Sequence, residues 1–269
     1  MRIGLCTGVD KLEDACAAGY AYAELALAPT LGGANDDDYA RLHAAMVASP
    51  LPIEVFNCFL PGELKVVGPT VDLPAVERYM ERALSRTAEV GASVVVFGSG
   101  GARAVPEGFP LDRAREQLAV AARMAGDIAA CHQLTIVMEP LFQCHILQRV
   151  AQGIAFVDYV NHPRVRLLAD LFHMTNTGEP FSDLLTAGTR LKHMHLATPA
   201  LTEKDAATRA DDFPGFLAAT AQAGYQGRIT VEDNPGFFSG LTPPFTPVFR
   251  AMREYVEFFL TTKDTKDTK

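Results

Sequence analysis

Short apolar runs alternate along the chain with longer segments whose apolar residues recur every three or four positions. The runs are Ile3–Cys6, Tyr22–Leu27, Ile53–Asn57, Val94–Phe97, Leu134–Met138, Val165–Asp170, Leu191–His195 and Arg228–Val231. They are too short for helices and several are apolar throughout, which predicts strands buried on both faces, as in a parallel sheet. The segments between them predict helices near Asp10–Ala18, Tyr39–Ala48, Pro74–Val90, Asp112–Cys131, Arg149–Val160, Pro180–Ala187, Phe213–Ala223 and Pro247–Leu260. Pro74 in a first turn, Gly91 after a last turn and Asp112 at an N-cap position are the expected punctuation. The stretch from Cys58 to Pro69 has neither period and is long enough for part of a lid.

Strands interleaved with helices imply a parallel sheet with right-handed crossovers. Eight such units in 269 residues favour a single closed (β/α)8 barrel of the α/β class, because a barrel takes roughly 250 residues. The expected domain covers residues 1–260. Residues 261–269 repeat Lys-Asp-Thr without an apolar face and are expected to form a disordered tail.

Four of the runs end in the same way. Leu134–Met138 delivers Glu139, Val165–Asp170 ends on Asp170, Leu191–His195 ends on His195, and Arg228–Val231 delivers Glu232. One carboxylate at one strand end is ordinary turn or cap chemistry. Four such groups on consecutive strands are different, because in a barrel the carboxyl ends of strands five to eight lie side by side around one mouth. Three carboxylates and an imidazole form a hard, anionic donor set suited to manganese or magnesium, with cobalt or zinc as alternatives. Without a cation the carboxylates would repel one another. His173, three residues after Asp170, is expected to open the following loop and to reach a substrate oxygen at the rim. His193 shares a strand face with His195 and reads as a hydrogen-bonded histidine of the barrel core. Glu24 interrupts the second run. Gly98-Ser99-Gly100-Gly101 lacks the Lys-Ser/Thr of a phosphate loop and reads as close packing at the rim.

A formal net charge of -8 lowers the expectation of a nucleic-acid surface. The five cysteines are odd in number and include no C-x-x-C, and no secretory signal opens the chain, so a reduced, cytosolic protein is expected. No apolar run approaches the roughly 20 residues of a membrane span.

Glu139-Pro140-Leu141, Asp170-Leu171-Phe172-His173-Met174, His193-Met194-His195, and Gly224-Tyr225-Gln226-Gly227 leading into Val231-Glu232 give the chain a resemblance. It resembles the xylose isomerase-like barrels, in particular the sugar isomerase/epimerase group that includes ketose 3-epimerases and hydroxypyruvate isomerase. The likeness spans about residues 2 to 260. It implies that Glu139, Asp170, His195 and Glu232 hold one divalent metal, manganese first, and that Glu139 and Glu232 form the acid/base pair. It also implies that His173 contacts the substrate, a small sugar or sugar-like molecule. The implied reaction is proton transfer through an enediolate on the metal, giving epimerisation or aldose–ketose isomerisation. A homodimer or homotetramer is implied as well.

Two positions depart from the ketose epimerases. Their second glutamate, six residues after the first metal ligand, is His145 here, which becomes the candidate substrate contact at that place. Their arginine after the strand-seven histidine is replaced by Thr198-Pro199-Ala200-Leu201, with Arg209 the nearest arginine. The metal and base groups are thus retained while substrate recognition differs. The alternatives are a lyase using the same enolate, as in inosose dehydratase or C-glycoside cleavage, and a sugar-binding barrel without turnover. A nuclease of the endonuclease IV type would need more metal ligands and a basic face.

Overall fold

Eight parallel strands close on one another in chain order: β1 (Arg2–Cys6), β2 (Tyr22–Ala26), β3 (Ile53–Asn57), β4 (Val94–Phe97), β5 (Thr135–Met138), β6 (Val165–Asp170), β7 (Leu191–Ala197) and β8 (Arg228–Glu232), which pairs back onto β1. This is a computed structural model, and it describes residues 1–197, 212–232 and 243–261. The described helices are α1 (Leu12–Ala17), α2 (Asp36–Val47), α3 (Leu73–Glu89), α4 (Leu111–Cys131), α5 (Val150–Val160), α6 (Leu171–Thr177), α7 (Leu184–Ala187), α8 (Asp212–Gln222) and α9 (Thr246–Thr261). The (β/α)8 barrel expected from the alternation is the fold observed. Among the described residues no helix is long and apolar enough to cross a membrane. The tail residues 262–269, the connection 198–211 and Arg209 within it lie outside the described residues.

Closure divides the apolar residues into two cores by strand parity. Tyr22, Val55, Val94, Val96, Val137 and Leu168 pack inside the barrel. Their strand neighbours Phe56, Val95, Phe97, Ile136, Met138, Leu167 and Ala169 face the helices. Parity therefore turns the next inward position of β2, β5, β6, β7 and β8 toward the mouth, and those positions are Glu24, Glu139, Asp170, His195 and Glu232. Gly4 is required by this interior: a Cβ there would sit 2.2 Å from the Tyr22 ring, which crosses β1 to place its hydroxyl 2.9 Å from Thr230 Oγ1.

At three helix starts the difference from expectation has a clear local reason. α2 begins at Asp36 because Asn35 Oδ1 accepts from the Asp38 backbone N–H at 2.9 Å, and three aspartates in its first turn face the positive end of the helix dipole. α4 begins at Leu111 behind Pro110, which leaves Asp112 in the first turn, paired with Arg115, and not at the N-cap. The largest difference follows β6. The loop expected there is a helix, α6, which starts directly at Asp170: Asp170 Oδ1 accepts from Phe172 N–H at 2.7 Å and caps it. Gly178, at φ +61°, ends α6. The single helix expected over Pro180–Ala187 is a 3-10 turn, Phe181–Asp183, followed by the one-turn α7.

The amino-terminal end of the barrel is fastened by charge. Glu54, next to an irregularity in the β2–β3 register, accepts from Arg2 Nη1 at 2.7 Å and from Arg228 Nε at 2.5 Å. It thereby joins β3 to both strands of the closing seam. Burial alone would raise the Glu54 carboxyl, but the two guanidiniums outweigh it and hold the carboxyl below the usual carboxylate range. A depressed folded-state pKa contributes stability above the unfolded value, about 4.3 for Glu, and loses it as pH falls through the folded value. Glu54→Gln is therefore expected to cost about 1–2 kcal/mol at pH 7, with the gap to the parent closing on acidification below about pH 4. Urea melts of both proteins at a series of pH values check this. A gap that does not change with pH would remove the charge from the explanation.

Candidate metal centre

Glu139, Asp170, His195 and Glu232 each offer one ligand atom, and these atoms lie within 4.8 Å of one another at the carboxyl ends of β5 to β8. Three of the four are buried, and Glu232 keeps 29% of its side chain exposed, on the solvent side of the cluster. His195 Nδ1 lies 3.4 Å from Glu139 Oε1 and 3.2 Å from Glu232 Oε2. The stagger of the strands sets this height: Asp170 is level with His195, and Glu232 pairs two residues further along, opposite Ala197.

His173 also joins the group, from the first turn of α6. Its Nε2 is 3.5 Å from Asp170 Oδ2 and 3.8 Å from Glu139 Oε1. Its ring sits in an aromatic corner with Phe142 and Phe172, at centroid distances of 5.6 and 5.3 Å. His145 is not brought to the cluster. It is exposed on the turn after β5, where its neighbour Cys144 is the residue that faces inward. The arginine-free stretch Thr198–Leu201 lies outside the described residues.

The electrostatics are those of an anionic hole. Burial raises the Asp170 carboxyl, and the Glu232 and Glu139 carboxylates raise it further, well above the usual range. Burial also raises Glu232, against the opposing pull of His195. For Glu139 burial acts in the same direction, but His195, His173 and Arg103 overcome it and lower its carboxyl. Burial lowers the His173 imidazole. Asp170 Oδ2 is buried with no hydrogen-bond partner among the described residues and points into the cluster. An acceptor left in that state needs a proton or a cation. Three carboxylate oxygens and one imidazole nitrogen, converging from four strands on a shared point, fit a divalent cation of the manganese or magnesium type.

Three further residues support the site, and sequence reading passed over them. Glu24 is fully buried between two histidines, its Oε2 2.8 Å from His193 Nε2 and its Oε1 2.9 Å from His195 Nε2. Those are hydrogen-bond lengths, so this second His–Glu group is a set of bonded partners with no space for an ion between them. Asn57 donates from Nδ2 to Glu232 Oε1 at 3.3 Å and to Cys6 Sγ at 3.2 Å. Arg103, fully buried, donates to the backbone carbonyl of Glu139. The signal for Glu24 was present as a carboxylate sharing the face of Tyr22 inside an apolar strand. The rim glycines have a steric cause: a Cβ at Gly98 would stand 2.1 Å from Glu139 Oε2, and one at Gly101 would stand 2.9 Å from Gly62 Cα.

Residues 12–255 match a family model described as xylose isomerase-like TIM barrel. The chain is 32% identical over 127 residues to an L-ribulose 3-epimerase of Methylomonas sp., covering 46% of this chain and 44% of that protein. It is 28% identical over 165 residues to a probable ketose 3-epimerase of Synechocystis sp., covering 57% and 54%. The chain thus spans about half the length of these relatives. Among solved structures it superposes with a TM-score of 0.80 on a D-psicose 3-epimerase crystallised in the presence of D-fructose, at 18% identity over 97% of this chain and 99% of that one. A 3-keto-D-glucoside 4-epimerase from E. coli gives a TM-score of 0.73 at 17% identity, over 96% and 99%. At these identities the superpositions speak to the fold.

Proposed function

The chain belongs to the xylose isomerase-like TIM barrel family, and we propose that it is a metal-dependent sugar epimerase or isomerase working by proton transfer. One observation carries the proposal: two glutamates, Glu139 and Glu232, flank a buried imidazole and aspartate with all four ligand atoms within 4.8 Å. The epimerase relatives support the sugar class.

Glu139, Asp170, His195 and Glu232 would hold the cation, manganese in the first place. Bound there, it would supply Lewis-acid stabilisation of negative charge developing on a carbonyl oxygen. The remaining chemistry belongs to the side chains. A sugar carbon beside its carbonyl, held between Glu139 and Glu232, loses its proton to one carboxylate. It regains a proton, on the opposite face or on the neighbouring carbon, from the other glutamate, which enters as the carboxylic acid, so the two exchange protonation states over one turnover. His173, held neutral by burial, offers a hydrogen bond to a substrate oxygen. The ring edges of Phe142 and Phe172 provide an apolar wall for the C–H face of a sugar ring. His145, exposed beyond this wall, would contact only the distal end of a substrate.

The test is proton NMR in D2O with manganese-loaded protein exchanged into zinc or magnesium for detection, a panel of ketoses, keto-glycosides and inososes, and Glu232→Gln as control. The expected result is deuterium at a carbon next to a carbonyl together with a new epimer or aldose signal. Exchange with a dehydrated product would replace the epimerase reading by a lyase. Bound metal with no exchange in any member of the panel would overturn turnover by proton transfer on simple sugars.

A further inference from the structure

We propose that Glu24 is a positioning residue for the cation site: its two carboxylate oxygens hold His193 and His195 by their Nε2–H groups and so commit the Nδ1 lone pair of His195 to the mouth of the barrel. The inference rests on the reading of Glu139, Asp170, His195 and Glu232 as cation ligands, and it adds a residue from the opposite half of the chain to that set.

The hydrogen-bond inventory fixes the arrangement. An ionised carboxylate only accepts, so a nitrogen bonded to it must carry the proton. Glu24 Oε2 lies 2.8 Å from His193 Nε2 and Oε1 lies 2.9 Å from His195 Nε2, one oxygen for each ring. Fully buried, with each of its two oxygens at hydrogen-bond distance from the Nε2 of a different imidazole, Glu24 is placed to accept at both contacts. The far nitrogen of His193, Nδ1, is buried without a hydrogen-bond partner among the described residues. An orphaned N–H there would be costlier than an orphaned lone pair, which again assigns the proton to Nε2. The far nitrogen of His195 faces Glu139 and Glu232. With Nε2 committed to Glu24, only Nδ1 can donate a lone pair to an ion among those carboxylates. A ligating imidazole whose other nitrogen is bonded to a carboxylate is held in tautomer and in ring orientation.

His193 has a part in this that its place on β7 explains. Two residues before His195 on the same strand face, it occupies the second oxygen of Glu24 and keeps the carboxylate from rotating. Below it Thr230 Oγ1 is 3.2 Å from His193 Nε2, and the Tyr22 hydroxyl is 2.9 Å from Thr230. All five members, Tyr22, Glu24, His193, His195 and Thr230, are completely buried. The ring planes of His193 and His195 stand at 86°, so a single carboxylate between them restrains both rings. A buried carboxylate would be a poor way to fill a barrel interior unless its bonds were needed.

Two measurements on the whole protein test the proposal. Long-range proton–nitrogen correlation NMR of the imidazoles reads the tautomers in the metal-free and zinc-loaded states. Titration with manganese, following the free ion by electron paramagnetic resonance, reads affinity. His195 is expected to keep its proton on Nε2 in both states and to carry none on Nδ1 when zinc is bound. Glu24→Gln is expected to weaken manganese binding by about 10- to 100-fold. His193→Gln, whose amide still donates to Glu24, is expected to stay within a few-fold of the parent. A His195 Nε2 without a proton in the metal-free parent overturns the proposal, even if the parent binds neither cation and the four-ligand reading fails separately. Near-parental manganese affinity in Glu24→Gln also overturns it. So do equal losses of affinity in both variants with equal falls in metal-free melting temperature, since these would make Glu24 a packing residue only.

Discussion

Glu232→Gln is expected to lose turnover by about a thousandfold or more at saturating metal while keeping the parent's circular dichroism and metal-free melting temperature. Glutamine has the shape of glutamate, and its amide oxygen can still accept from Asn57 Nδ2, now 3.3 Å from Glu232 Oε1. β8 and its pairing with β1 need not move. What disappears is a proton acceptor and one of the negative charges facing His195 Nδ1 at 3.2 Å. The first loss is chemical and cannot be made good by more metal; the second appears as weaker binding. Measuring deuterium wash-in and manganese affinity on the same sample separates them. A variant that retains most of its exchange rate with metal bound removes Glu232 from the acid/base pair and leaves it a ligand only.

Asp170→Asn is expected to act in opposite directions on the two forms of the protein. Asp170 Oδ1 caps α6 through Phe172 N–H, and an asparagine oxygen keeps that bond. Its Oδ2 has no hydrogen-bond partner among the described residues, and the neighbouring Glu139 and Glu232 carboxylates repel its charge. An amide there replaces a repelled acceptor with a donor to those carboxylates, so the metal-free variant should be more stable than the metal-free parent by about 1–3 kcal/mol. The parent should gain about 2.7 kcal/mol from a cation at a hundred times its dissociation constant, a rise of roughly 5–10 °C in melting temperature for a domain of this size. The variant should show little or none of that rise. Scanning calorimetry with chelator and with manganese checks both halves. An Asp170→Asn protein that is less stable than the parent in chelator would mean that the carboxylate is satisfied without a cation.

The convergence of Glu139, Asp170, His195 and Glu232 was legible in the sequence because each ends an apolar run, and strand parity does the remaining work of turning it inward. Strand positions were legible for the same reason, down to the boundaries of β3, β4 and β6. Glu24 stood out as a carboxylate in an apolar run, but its role did not, because that role lies in partners 169 and 171 positions away that only the closed barrel brings within reach. The sequence places His173 in a loop because Asp170, ending an apolar run, gives only the signal of a strand end. It is also an N-cap, and the distance from Asp170 to Gly178 brackets α6 once that double role is seen. Arg103 and Asn57 give no local signal, since a lone arginine after a glycine run and an asparagine ending a strand are ordinary surface residues in most sequences. His145 shows the limit of carrying a position over by spacing. The turn after β5 leaves that side chain exposed, so the residue count from Glu139 does not by itself bring it to the four-residue cluster.

β8 brings the fourth ligand and also forms the seam with β1, from Arg2 opposite Arg228 to Leu5 opposite Val231. The same seam is riveted outside the barrel where Thr246 N–H, at the start of α9, donates to Asp14 Oδ1 at 3.0 Å across 232 positions. On a ribosome, which releases the chain from its amino end, β1 must therefore wait with an unpaired edge until almost everything else has been made, and such an edge invites association with other chains. Until β8 arrives the nascent protein holds three of the four donors, with the last side open to water. If the cluster takes up a cation as proposed, capture would coincide with completion of the ring, and the ion would act as an inspector of finished barrels, held by those whose seam has closed and passing over those still open.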